Sequence, residues 1–155
     1  MALFIAGLVL SGLTAFPLQA EIDLLVRMLG IGAVPQPAEP ALHTWLRLLH
    51  TGVIETYARY PFMAYGTDWL AFGHLVIAVA FIGPFRDPVR NRWIVTVGLI
   101  ACAGVIPLAL IAGEIRGIPL WWRLIDCSFG VLGAVPLLIC RRCIDRLERR
   151  SLAKG

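Results

Sequence analysis

WIVTVGLIACAGVIPLALIAG, residues 93–113, runs for 21 residues without a charged side chain. At about 1.5 Å per helical residue this stretch reaches roughly 30 Å, the thickness of a bilayer's hydrocarbon core. Three more stretches repeat the pattern. Residues 1–20 carry no charge, 69–85 carry only His74, and 124–140 carry only Asp126. The pattern predicts an all-α integral membrane protein of four transmembrane helices in a bundle. The spans fall at about 1–20, 69–85, 93–113 and 120–141 of a single membrane domain over 1–155. Composition excludes an ordinary soluble domain: 59% of residues are hydrophobic and the mean hydropathy is +0.79.

Basic residues orient the spans, because Lys and Arg near span ends stay in the cytoplasm during insertion. Arg86, Arg90 and Arg92 in one loop join Arg141, Arg142, Arg146, Arg149, Arg150 and Lys154 in the tail, which makes nine. The other side has five: Arg27, Arg47, Arg59, Arg116 and Arg123. Both termini are therefore expected in the cytoplasm of a multi-pass protein of the cell (inner) membrane. Segment 21–68 and the short loop 113–119 then lie outside, and 142–155 forms a cytoplasmic tail. A pI near 9.2 follows from that topology and from contact with anionic lipid head groups. Nucleic acid is not an expected partner.

The first apolar run ends in Pro17, Leu18, Gln19 and Ala20, which resembles the end of a signal peptide. Leu18 stands where an A-x-A-like cleavage site needs a small residue, and no Lys or Arg precedes the run, so it is expected to be retained as a span. Trp69, Trp121 and Trp122 open the second and fourth spans on the outer side, and Trp93 opens the third on the inner side, as interfacial indoles do. Pro17, Pro107 and Pro136 lie inside spans, where each removes a backbone donor and is expected to kink or open its helix. Gly98, Ala101, Gly104, Ala109, Ala112, Gly130, Gly133 and Ala134 are small residues that permit close helix packing in a compact bundle or a tight oligomer.

The external segment is the least generic part of the chain. Residues 21–29 predict a short amphipathic helix closed by Gly30, followed by a turn through Pro35, Pro37 and Pro40. A longer amphipathic helix is expected from about Pro40 to Arg59, with His43, Arg47, His50 and Ile54 on one side. It should lie on the membrane or cap the bundle. Pro61 breaks it, and Thr67 or Asp68 is then expected to cap span two.

Ionisable groups at membrane depth are costly and therefore functional candidates. His74 lies about six residues inside span two from Asp68, ~9 Å deep, with Thr67 and Leu70 on its face. Arg123 and Asp126 stand at i and i+3 near the outer end of span four, spaced to pair, and Glu114 and Arg116 precede them in the loop. His74, Asp126, Arg123, Glu114 and His50 are thereby expected to line a polar pocket in the outer half of the bundle. The plainer reading treats Arg123 with Asp126, or Arg116 with Glu114, as interfacial ion pairs that fix helix register. It likewise treats His74 as a hydrogen-bond donor to a neighbouring helix.

No metal site is predicted, since the chain lacks an H-E-x-x-H pair and a C-x-x-C-H attachment site. No particular cofactor is implied. His43 and His50, two turns apart, are about 10 Å from each other along a straight helix, too far for both to ligate one ion, although either could join His74. Cys140 and Cys143 form a C-x-x-C beside Arg141 and Arg142. Without a partner cysteine or a thioredoxin-like setting they are read as packing at the helix end. Cys102 and Cys127 are read as small buried residues. In the tail, Asp145 stands four residues from both Arg141 and Arg149 on a helix expected to extend into the cytosol.

Three functions fit these residues. The first is binding of a small or amphiphilic ligand in the outer polar pocket. The second is a membrane enzyme using His74 and Asp126 as acid/base or ligand groups, and the third is a scaffold or accessory subunit of a larger membrane complex. The expected partners are the lipid bilayer, a small or amphiphilic ligand, and a homo-oligomer or membrane-protein partner. No motif names a reaction.

Overall fold

A computed structural model describes the backbone of residues 1–152 and the side chains of residues 1–149. Lys154 lies outside the described residues, as does the side chain of Arg150. Every regular element among the described residues is helical: α1 (Ala2–Ala15), α2 (Leu18–Met28), α3 (Ala41–Arg59), a 3₁₀ turn (Pro61–Met63), α4 (Ala64–Ala80), α5 (Ile82–Arg86), α6 (Arg92–Pro107), a π turn (Leu108–Ala112), α7 (Gly113–Ile115) and α8 (Leu120–Leu152). Three continuous helical runs, Pro61–Arg86, Arg92–Ile115 and Leu120–Arg149, are long and apolar enough to cross a membrane. α1 and α2 pass the same test only when taken together, and they are bent by 89° at the break between them.

That bend falls at Pro17, where a kink is expected, and it divides residues 1–20 between two helices. Pro17 supplies no N–H, and its ring pushes the preceding residue out of the helical region, so α1 stops at Ala15. At 14 residues and ~1.5 Å each, α1 is about 21 Å long.

The chain divides into two compact units, Leu8–Val76 and a second formed by Met1–Gly7 with Ile77–Gly155. In the first, α2 ends in a left-handed glycine cap. Gly30 (φ 64°) donates to the Arg27 carbonyl at 3.1 Å, and Ile31 donates to the Val26 carbonyl at 3.0 Å. α2 packs along α3, with Ile31 and Leu46 buried. Gly12 of α1 comes so close to α4 that a Cβ there would stand 3.0 Å from the Ala71 carbonyl oxygen.

The cap expected at Thr67 or Asp68 is not there, because α4 already begins at Ala64. Pro61, with its φ preset for a first helical turn, starts the 3₁₀ turn that runs into α4. Thr67 therefore sits inside the helix, where its hydroxyl donates to the Ala64 carbonyl at 2.7 Å.

The core of the second unit is the seam of α6 against α8. Glycines permit the approach: a Cβ on Gly98 would meet Phe81 at 2.6 Å and Leu137 at 2.8 Å, and one on Gly130 would meet the Cys102 carbonyl oxygen at 2.5 Å. Val95 and Leu137 are fully buried there. Gly104, by contrast, faces open space. Phe4 packs on Phe81 with ring centroids 4.7 Å apart, and the Met1 amine stands 3.3 Å from the Cys140 Sγ.

α8 continues without a break through Pro136 and into the tail. Its Asp145 does not pair with Arg141 or Arg149 as their spacing predicts. Asp145 and Glu148 both reach Arg92 at the start of α6, at 3.3 and 2.7 Å, and Arg141 donates to the Thr96 hydroxyl at 3.0 Å. Packing of this face on α6, with Ile144 buried between, turns these side chains toward the neighbouring helix.

Candidate functional site

Pro107 and the π turn interrupt the regular hydrogen-bond ladder at the end of α6, so carbonyl groups there need partners from elsewhere. α8 supplies them. Arg123 Nη1 donates to the Leu110 carbonyl at 3.1 Å, and the Cys127 thiol points at the Ile106 carbonyl at 4.0 Å. The Arg123 side chain is only 11% exposed and its Nη2 meets Glu114 Oε2 at 2.5 Å. Its aliphatic part lies against Gly113. Its Nε is buried without a hydrogen bond to a described residue.

Two of the five expected pocket residues, Arg123 and Glu114, are thus brought together. The Arg123–Asp126 and Arg116–Glu114 pairs do not form. The Asp126 spacing is right, but the Arg123 side chain turns back toward the π turn, where a free carbonyl and the Glu114 carboxylate both accept from it. Asp126 is left half-buried on an apolar helix, with no hydrogen bond or ion pair to a described residue.

His50 and His74 belong to the other unit. His50 Nε2 lies 2.6 Å from Asp23 Oδ1 and ties α3 to α2, so that nitrogen is not available to join His74 at a metal. His74 Nδ1 donates to the Leu70 carbonyl of its own helix at 2.8 Å. Its Nε2 is the open ring nitrogen.

The sequence places His43, Arg47 and His50 on one side of α3 but does not name the acids that face them. Arg47 donates through Nε to the Gly32 carbonyl at 2.8 Å, through Nη1 to Glu39 at 2.8 Å, and through Nη2 to the other oxygen of the same carboxylate. This bidentate fork holds the Glu39 carboxyl below its ordinary value, against the opposing effect of desolvation, and raises Arg47 in turn. Ala38 takes a left-handed backbone (φ 61°) immediately before Glu39. His43 stands 3.8 Å from the same carboxylate. The signal was the polar side of α3: His43, Arg47 and His50 each face an acid from outside that helix.

Among the described residues, two open depressions lie away from the five expected residues. One, of about 410 Å³, is an apolar groove along α3 lined by Leu48, Leu49, Gly52, Val53, Thr56, Tyr57 and Met63. The other, of about 320 Å³, lies among Arg92, Asp145, Glu148 and Arg149. Among the described residues no three His, Cys, Asp or Glu side chains gather as a metal site, and all four cysteines are free thiols. Comparison with family models, curated proteins and solved structures finds no match for the chain.

Proposed function

We propose that this chain is a four-span protein of the cell (inner) membrane, with both termini in the cytoplasm and the α2–α3 segment outside. In this reading its outer half binds a small or amphiphilic ligand, with Asp126 as the principal contact. One observation carries it: Asp126 sits about six residues, ~9 Å, into a helix long enough to span a bilayer, and its expected partner Arg123 is spent on Glu114 and Leu110. A carboxyl kept partnerless in an apolar span is expensive, and a ligand that donates a hydrogen bond or brings a cationic group would satisfy it. Arg123 then acts as a positioning residue that holds the start of α8 against the π turn.

Native mass spectrometry of the detergent-purified protein tests this reading, because one spectrum reports the subunit count and the mass of anything retained. The expected result is a stoichiometric adduct that Asp126→Asn loses while the variant still inserts and keeps the helical circular dichroism of the parent. An unaltered adduct in a folded Asp126→Asn protein sinks the assignment. A second reading, a scaffold or accessory subunit, is favoured by Ala101 and Gly104, small residues exposed on α6 with open space beside Gly104. A bare protein that gains mass only with a partner chain would move the assignment there.

A further inference from the structure

The arginines at the cytoplasmic end of the second unit are of two kinds. Arg92 and Arg141 are engaged between helices, with Asp145, Glu148 and Thr96. Arg86, Arg90, Arg142, Arg146 and Arg149 are exposed, and their guanidinium groups make no hydrogen bond or ion pair to a described residue. Of the nearby acids, Asp145 and Glu148 are engaged by Arg92, and Asp87 accepts the Arg90 backbone N–H, 3.1 Å from its Oδ1, and makes no ion pair with a described residue.

Spacing orders three of the five. Arg142, Arg146 and Arg149 stand at i, i+4 and i+7 on α8 and form one stripe, whereas Arg141, Ile144, Asp145 and Glu148 form the face turned to α6. α8 is 33 residues long, about 50 Å at ~1.5 Å per residue, against ~30 Å for the hydrocarbon core. A helix entering the core near Leu120 therefore carries its last turns, and the stripe, through the opposite head-group layer.

We propose that this stripe, with Arg86 and Arg90, is a binding surface for the phosphodiester head groups of anionic lipids, while Arg92 and Arg141 serve only the α6–α8 seam. The inference rests on the membrane reading above. Guanidinium forks match phosphate oxygens bidentately, and a basic cluster just cytoplasmic of a span meets an anionic leaflet. A membrane is favoured over a soluble polyanion because the cluster adjoins long apolar helices.

The test is native mass spectrometry of the full chain released from nanodiscs of phosphatidylcholine alone, or of phosphatidylcholine with phosphatidylglycerol. The wild type is expected to retain phosphatidylglycerol preferentially, and Arg142→Gln/Arg146→Gln/Arg149→Gln to lose about fivefold of that preference per guanidinium removed. Arg92→Gln is expected to keep it. Equal retention by the triple variant, loss in Arg92→Gln alone, or displacement of the lipid by an RNA oligonucleotide overturns the inference. The wild type carries the test if the triple variant misfolds: a preference that 1 M salt does not weaken also overturns it. Failure to enter phosphatidylcholine nanodiscs at all would instead refute the membrane reading.

Discussion

A Cβ on Gly113 would stand 2.5 Å from the Cδ of Arg123: the missing side chain of one residue is the space the other occupies. Gly113→Ala is therefore expected to push Arg123 away from the Leu110 carbonyl and Glu114, at about 1–3 kcal/mol for an overpacked site. Gly104→Ala, on the same run but beside open space, should instead gain up to about 1 kcal/mol of helix propensity. Thermal denaturation in one detergent compares them, and equal melting temperatures would refute the packing argument.

Gly130→Ala should be the most damaging glycine substitution in the α6–α8 seam. Its Cβ would meet the Cys102 carbonyl oxygen at 2.5 Å, whereas a Cβ on Gly133 would meet the Cys102 Sγ at 3.1 Å. A side-chain sulfur can swing aside and a helix carbonyl cannot. The expected loss is about 2 kcal/mol or more for Gly130→Ala and under about 1.5 kcal/mol for Gly133→Ala, read from reversible unfolding in mixed micelles.

The tail ion pairs run between helices rather than along α8. A double-mutant cycle on Arg92 and Glu148, side chains 41% and 28% exposed, should return about 0.2–1 kcal/mol of coupling that fades with added salt. The same cycle on Asp145 and Arg149 should return none. Significant coupling in that second pair would restore the helix-surface pairing implied by their spacing.

The Glu39–Arg47 fork predicts an acid-labile α2–α3 segment. Hydrogen bonds from Arg47 depress the Glu39 carboxyl below its ordinary 4.5, so the folded segment binds this proton less readily than the unfolded chain does. The stabilisation is then fully present at pH values above the ordinary value and is lost as pH falls through the depressed one. Hydrogen exchange over residues 31–47 should quicken below about pH 4.5 in the parent, after correction for intrinsic rates, and Glu39→Gln should lose that acid response. An unchanged acid response in Glu39→Gln would assign the lability elsewhere.

Boundaries written by proline were legible in the sequence. α3, expected from about Pro40 to Arg59, runs Ala41–Arg59 because Pro40 and Pro61 punctuate it, and Gly30 closes α2 as anticipated. The apolar runs were legible for the same local reason. Partner choice was not. Arg123 with Asp126, and Asp145 with its two arginines, satisfy helical spacing, but competing partners on another element, Glu114 and the Leu110 carbonyl in one case and Arg92 in the other, took precedence. Thr67 has the residue type of a cap but lies inside α4, because Pro61 both ends one helix and begins the next. The proposed ligand contacts are legible only as ionisable residue types within apolar runs.

The contact between the Met1 amine and Cys140 bears on parity. Two residues side by side at one face of a bilayer are joined by a chain that crosses it an even number of times. On the four-span reading proposed above, the chain from Met1 to Cys140 takes in two continuous runs of spanning length, most of a third and the bent α1–α2 pair, and an even count assigns the remaining crossing to that pair. With α1 about 21 Å long against a core of ~30 Å, that crossing is finished by the start of α2 or by a locally thinned bilayer. On that reading, Pro17 leaves α1 as the crossing with the least apolar length to spare.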